Sequence, residues 1–229
     1  MIALSSKDVE DVEISGSGLG ERDLGIRRSL DEYIWNPRLY TMLFASLCLV
    51  GVTSVFLFRF DVLLKEEDDG DTNLYSYYRT IILTQTLSAI IVGLLSYFTR
   101  TSVNEYIWAI IGAIIAIIGV ILYLVSKDSS NITYAGTILV AIGSGIGWVM
   151  FPLIAYDDAG PQPFGVILSL IFLFNFWGMT FFGGIFFLLT EYSKPLMPFF
   201  FVFIVGLIAS IISSAISLFL DDEQIKRYY

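Results

Sequence analysis

Histidine is missing from this sequence altogether, and cysteine occurs once, as Cys48. Without histidine the chain lacks the commonest transition-metal ligand and the commonest general base near neutral pH. A single cysteine excludes an intrachain disulfide and a cysteine-built metal site. Lying inside an apolar run, Cys48 reads as a small packing residue. Charge is scarce as well: 15% of the residues are charged, and the formal net charge is −9. Nucleic-acid binding, which needs clustered Lys and Arg, is not expected. No nucleophile–base pair can be assembled, because the serines and threonines have no histidine or buried carboxylate to activate them. The sequence therefore does not read as an enzyme, and it implies no metal and no cofactor.

What is present is apolar. Of the 229 residues, 56% are hydrophobic, against about 45–50% in an ordinary soluble domain. They fall in long runs without charge, which is the pattern of helices that cross a bilayer. Six runs, near 40–58, 80–98, 106–125, 133–155, 164–189 and 196–220, predict six transmembrane helices within a domain over 39–220. Each run can cross a hydrocarbon core of about 30 Å at about 1.5 Å per residue. A β-barrel is not expected, since barrel strands alternate and are about ten residues long.

Flanking segments are polar. Residues 1–38 form an acidic tail rich in Ser, Gly, Asp and Glu, and 221–229 form a short polar tail. Neither a secretory signal nor an Arg-rich transit peptide is expected in the first of these. A short interfacial helix is expected near 29–38, capped by Ser29 with Glu32 three residues on. Trp35, Tyr33 and Tyr40 are placed for the headgroup level, and Arg38 for a headgroup anchor. An even number of spans puts both termini on one side. Lys7, Arg22, Arg27, Arg28, Arg38, Arg100, Lys226 and Arg227 fall on that side. Arg59, Lys65, Arg79, Lys127 and Lys194 fall on the other. The bias favours termini facing the cytoplasm or an organelle matrix or stroma, and a mitochondrial inner membrane is compatible with it.

No Asp, Glu, Lys, Arg or His lies in the interior of any run, so the chain carries no obvious proton-coupling group at membrane depth. The interior polar groups are mild. Gln85 and Asn175 are the candidates for a solute contact, against the simpler reading of interhelical hydrogen bonds. Small residues recur at helical spacing: Gly112, Ala116 and Gly119; Gly143 and Gly147; Gly206, Ser210 and Ser214. Such rows let helix backbones approach closely, within the chain or at a dimer or partner seam. The acidic loop KEEDDGDTN reads as a solvated charge run. Asn131-Ile132-Thr133 is a formal glycosylation sequon in a very short loop.

The order of these features resembles the C-terminal six-helix half of a major facilitator superfamily transporter, in its nodulin-like and monocarboxylate-type branch. SLDEYIWNPRLYTMLFASLCLVGVTSVFLF is similar to the entry segment and first helix of that half. SAIIVGLLSYFTR sits where the family has a charged motif at the end of the second helix. Gly93 and Ser96 of that motif remain, but Ala89 stands in place of an Arg and Tyr97 in place of an Asp. AIGSGIGWVMFPLIAYDDAGPQPFGVILSLIFLFNFWG is similar to the Gly-rich fourth helix and its exit, with Gly143, Gly147, Pro152, Asp157, Phe164 and Gly165 matching. The resemblance implies an all-α bundle of six transmembrane helices shaped like one half of a major facilitator fold. It implies a small organic solute, moved only by a homodimer or with a partner chain, because alternating access rocks one half against the other. The other reading is a transporter half kept as a non-transporting accessory subunit of a larger membrane complex.

Overall fold

The computed structural model describes residues 34–58, 74–99, 103–125, 130–161, 163–192 and 197–228. Six helices follow one another among them: α1 Pro37–Phe58, α2 Leu74–Thr99, α3 Glu105–Val125, α4 Ser130–Ala159, α5 Phe164–Tyr192 and α6 Met197–Tyr228. All six are long and apolar enough to cross a membrane, which makes this a multi-pass membrane protein. Each covers one predicted run. The Ser29 cap and the acidic loop lie outside the described residues. Residues 221–228, read above as a tail, continue α6. The sequon is helical rather than looped: residues 130–133 are the first turn of α4, and Thr133 is buried.

Local chemistry sets several helix ends. Asn36 caps α1, its Oδ1 accepting from the Arg38 amide at 3.0 Å, and Pro37 occupies the first helical position, where a missing N–H costs nothing. Asn104 caps α3 in the same way, accepting from the Tyr106 amide at 3.0 Å. Gly160 stops α4 with φ at 77° while its N–H bonds the Tyr156 carbonyl at 2.9 Å. Pro152 lies within α4, and the helix runs through it.

The packing repeats. α1 and α4 are the central pair, with 78% and 61% of their apolar windows buried; α3 and α6 reach 39% and 44%, and α2 and α5 only 17% and 22%. α5 lies on α1 as α2 lies on α4. α6 lies on α1 as α3 lies on α4. α3 and α6 also meet each other. The correspondence extends to many individual buried positions. Ile81, Ser88, Val92 and Ser96, the buried positions of α2 among its described side chains, recur ninety places later as Ile171, Gly178, Phe182 and Phe186 in α5. Tyr106, Ala109, Gly112, Ala116, Gly119 and Tyr123 of α3 recur ninety-four places later as Phe200, Phe203, Gly206, Ser210, Ser213 and Ser217 of α6, again all buried. Leu39, Met42, Ser46, Leu49 and Phe56 of α1 match Thr133, Gly136, Val140, Gly143 and Met150 of α4 at the same spacing. The two triplets are inverted relative to one another. Arg38 at the start of α1 meets Asp158 at the end of α4, so the matched central helices run antiparallel. The chain is thus two three-helix units of opposite direction, α1–α3 and α4–α6, folded around the α1–α4 contact.

Candidate functional site

The two polar residues singled out by the sequence occupy equivalent places in this repeat. Gln85 on α2 and Asn175 on α5 are ninety positions apart, the offset that superposes the buried faces of those helices. Each lies three residues before a close crossing with a central helix. For Asn175 that crossing is Gly178 of α5 on Gly51 of α1. A Cβ added to Gly51 would stand 2.7 Å from the Gly178 carbonyl carbon, and one added to Gly178 would strike the Leu47 carbonyl oxygen. For Gln85 it is Ser88 of α2 on Gly145 of α4, where a Cβ would strike the Ser88 hydroxyl and the Gln85 carbonyl.

Each carboxamide bonds a serine of its central helix. The Ser46 hydroxyl donates to Asn175 Oδ1 at 2.5 Å, and Gln85 Nε2 donates to Ser144 Oγ at 3.1 Å. Asn175 is 2% exposed, and Gln85 is half-buried. The simpler reading is therefore present in both cases, as interhelical hydrogen bonds, and the structure does not bring the two carboxamides to each other.

The small residues divide among three partners. Gly112, Ala116 and Gly143 form one seam, where a Cβ on Gly143 would come within 2.5 Å of the Gly112 carbonyl oxygen and 2.8 Å of Ala116 Cβ. Gly119 and Gly136 extend it. Gly147, four residues from Gly143, faces a different helix and packs on Leu49 and Val50 of α1. Gly206 and Ser210 lie on α1, the first against Val52 and the second donating to the Ala45 carbonyl at 2.9 Å. Ser213 continues that seam, donating to the Thr41 carbonyl at 2.9 Å. Ser214, expected there by spacing, is buried one position round the helix, and its hydroxyl has no hydrogen-bond partner among the described residues. A strict four-residue count drifts off a face that repeats at 3.6.

A second polar cluster escaped the sequence reading. Arg38 is an ion-pair partner rather than a headgroup anchor. Its guanidinium lies 3.2 Å from Asp158 Oδ1, both side chains 12% exposed, and stacks over Tyr106 at 4.9 Å. The Tyr106 hydroxyl donates to Asp158 Oδ2 at 3.3 Å. Three helix ends meet here: Arg38 and Tyr106 each follow a capping asparagine by two residues, at the starts of α1 and α3, and Asp158 closes α4. A carboxylate at a helix C-terminus is unfavourable by itself, and Arg38 offsets it. The cluster ties the first unit to the second. The equivalent place at the opposite end of the bundle is aromatic, with Phe200 against Tyr123 at 5.3 Å and Phe56 against Tyr123 at 5.4 Å. Sequence spacing could not pair residues 120 positions apart. A charged residue two places inside an Asn-capped helix start was the available hint for Arg38; Tyr106, two places after Asn104, carries no charge and offered none.

No protein-family model matches this chain, and neither a curated protein nor a solved structure matches it.

Proposed function

We propose that this chain is a half-size, transporter-like membrane protein that moves a small organic solute as a homodimer or with a partner chain. The observation that carries this reading is the inverted pair of three-helix units. Inverted repeats nested in a six-helix half are the building plan of major facilitator transporters, and solute sites in such folds lie near the bilayer midplane at the interface between repeats. The equivalent positions of Gln85 and Asn175, each bonded to a serine of a central helix, fit that plan. So do the thinly packed α2 and α5, which leave apolar faces on the outside of the bundle.

A second reading has its own support. From Cys48 to Leu57, ten consecutive residues of α1 are buried, so this stretch of the central helix shows no open face. Such closure suits a non-transporting subunit of a membrane complex. The separating experiment is mild detergent extraction with native mass measurement, followed by thermal unfolding against a panel of sugars, polyols, amino acids and monocarboxylates. A homodimer stabilised by one solute class supports the carrier. Stoichiometric co-purification with a large assembly, and no solute response, overturns it in favour of the subunit.

A further inference from the structure

We propose that the two three-helix units part at the end of the bundle that holds Arg38, and stay joined, as at a hinge, at the end that holds Phe56 and Tyr123. The contacts between the units differ in kind along the bundle. At the first end they are polar. Arg38 of α1 pairs with Asp158 of α4 at 3.2 Å, and the Tyr106 hydroxyl of α3 donates to the same carboxylate at 3.3 Å. Thr41 of α1 shares a 2.6 Å bond with Ser217 of α6, and the Ser213 hydroxyl donates to the Thr41 carbonyl. At the second end they are rings and bare backbone. Phe56 of α1 and Tyr123 of α3 meet Phe200 of α6 at 6.4 and 5.3 Å between ring centroids, and Phe203 lies 6.1 Å from Phe56. All four rings are at most 3% exposed. α3 lies on α4 there through Gly119 and Gly136, with no room for a Cβ on either.

Water decides which end gives. Arg38 and Asp158 lie in the terminal turns of the spans Pro37–Phe58 and Ile132–Ala159, where parted charges and hydroxyls meet water or headgroups. A hydrogen bond broken there is replaced by bonds to water, so its net worth is small. Phe56 and Tyr123 lie in the terminal turns of α1 and α3 at the other end. Rings parted there meet the same water and carry the full cost of exposed apolar area. The ion pair also favours the closed form. Arg38 stands at the positive, N-terminal end of α1 and Asp158 at the negative, C-terminal end of α4, so each charge is on the unfavourable end of its own helix. Docked, each faces the favourable end of the other. The pair therefore closes its end by default and opens it without stranding apolar surface. Such a latch needs neither a solute nor a second chain, and it operates equally in a carrier and in a subunit.

The test reads thiol labelling by N-ethylmaleimide in the full chain in proteoliposomes, on a Cys48→Ala background. Two buried positions of α4 are compared: Ala155→Cys, one turn from Asp158, and Thr137→Cys, towards the opposite end. Each rate is divided by the rate of the same variant in SDS. Labelling of a buried thiol follows the population of the opened form. With the charges intact, Ala155→Cys is expected to label about tenfold or more faster than Thr137→Cys. Arg38→Gln and Asp158→Asn are each expected to speed Ala155→Cys by about a further tenfold and to leave Thr137→Cys within about twofold. Arg38→Lys keeps the charge and is expected to stay within about threefold of the parent. Equal rates at the two positions with the charges intact, or a faster rate at Thr137→Cys, overturn the inference. An equal rise at both positions when a charge is lost is general loosening and also overturns it, as does no rise at Ala155→Cys. If Arg38→Lys opens the end as far as Arg38→Gln does, packing rather than charge holds it, and the latch is overturned.

Discussion

The α3–α4 seam and the α6–α1 seam are equivalent under the inverted repeat, each joining one unit to the other, yet different chemistry holds them. The first is dry. Gly112, Ala116 and Gly119 bring α3 against Gly136 and Gly143 until backbone meets backbone, with a Cβ on Gly119 standing 2.6 Å from the Gly136 carbonyl oxygen. The second is hydrogen-bonded. At the matching positions Ser210 and Ser213 donate to carbonyls of α1, and Ser217 shares a 2.6 Å bond with Thr41. One contact is common to both: a Cβ on Gly112 would sit 2.8 Å from Ile146, and one on Gly206 would sit 2.8 Å from Val52. Lipid offers apolar helices no hydrophobic drive to associate, so dispersion at close range and interhelical hydrogen bonds are what remain. This protein uses one in each seam on the same backbone plan.

The difference predicts unequal sensitivity to substitution. Gly119→Leu has the largest expected effect, about 3 kcal/mol or more, because the obstructing atoms are backbone of α4 and cannot turn aside. Unfolding by SDS titration in mixed micelles reads this, and a midpoint like that of the parent would show that the dry seam can open without penalty. Next comes the ion pair that ties the two units at one end. Arg38→Ala or Asp158→Ala leaves a partner charge that is 12% exposed and is expected to cost about 3 kcal/mol. The double variant should cost less than the two singles added, and strict additivity would mean that the charges do not interact.

The hydrogen-bonded seam should yield in smaller steps. Ser210→Ala and Ser213→Ala are each expected to lose about 0.6 to 1.7 kcal/mol in the same titration. Values as large as that for Gly119→Leu would erase the distinction between the seams. The smallest effect is expected at Gly184, on the exposed side of α5, where an added Cβ meets nothing within 4 Å. Gly184→Ala should fall within about 0.5 kcal/mol of the parent, whereas Gly178→Ala, six residues earlier, drives a methyl into the Leu47 carbonyl and should lose far more.

How much of this could be read from the chain alone differs by element. The helices were legible because a charge-free apolar run of about twenty residues has one stable form in hydrocarbon. The small-residue rows were legible as close-approach surfaces, since Gly112, Ala116, Gly206 and Ser210 do lie in seams. Their partners were not legible. Gly143 and Gly147 read as one row yet face α3 and α1, and Ser213 took the place that spacing assigned to Ser214. Gln85 and Asn175 were visible as the strongest polar groups at depth, but their equivalence was hidden. The offset relating them appears only when burial is laid along both helices, because α2 and α5 share a pattern of contact rather than of residue type.

The sequence by itself determined that six helices cross a membrane, that their interiors hold no charge, and that several of their faces are small enough to touch. These follow from local composition, which hydrocarbon reads one helix at a time. Only the tertiary structure decided that the six form two inverted triplets, that Arg38 turns inward to Asp158 instead of outward to headgroups, and that Asn175 and Gln85 each bond a serine of a central helix. Those outcomes depend on which helix lies against which, and residues far apart in the chain meet only after that packing is complete.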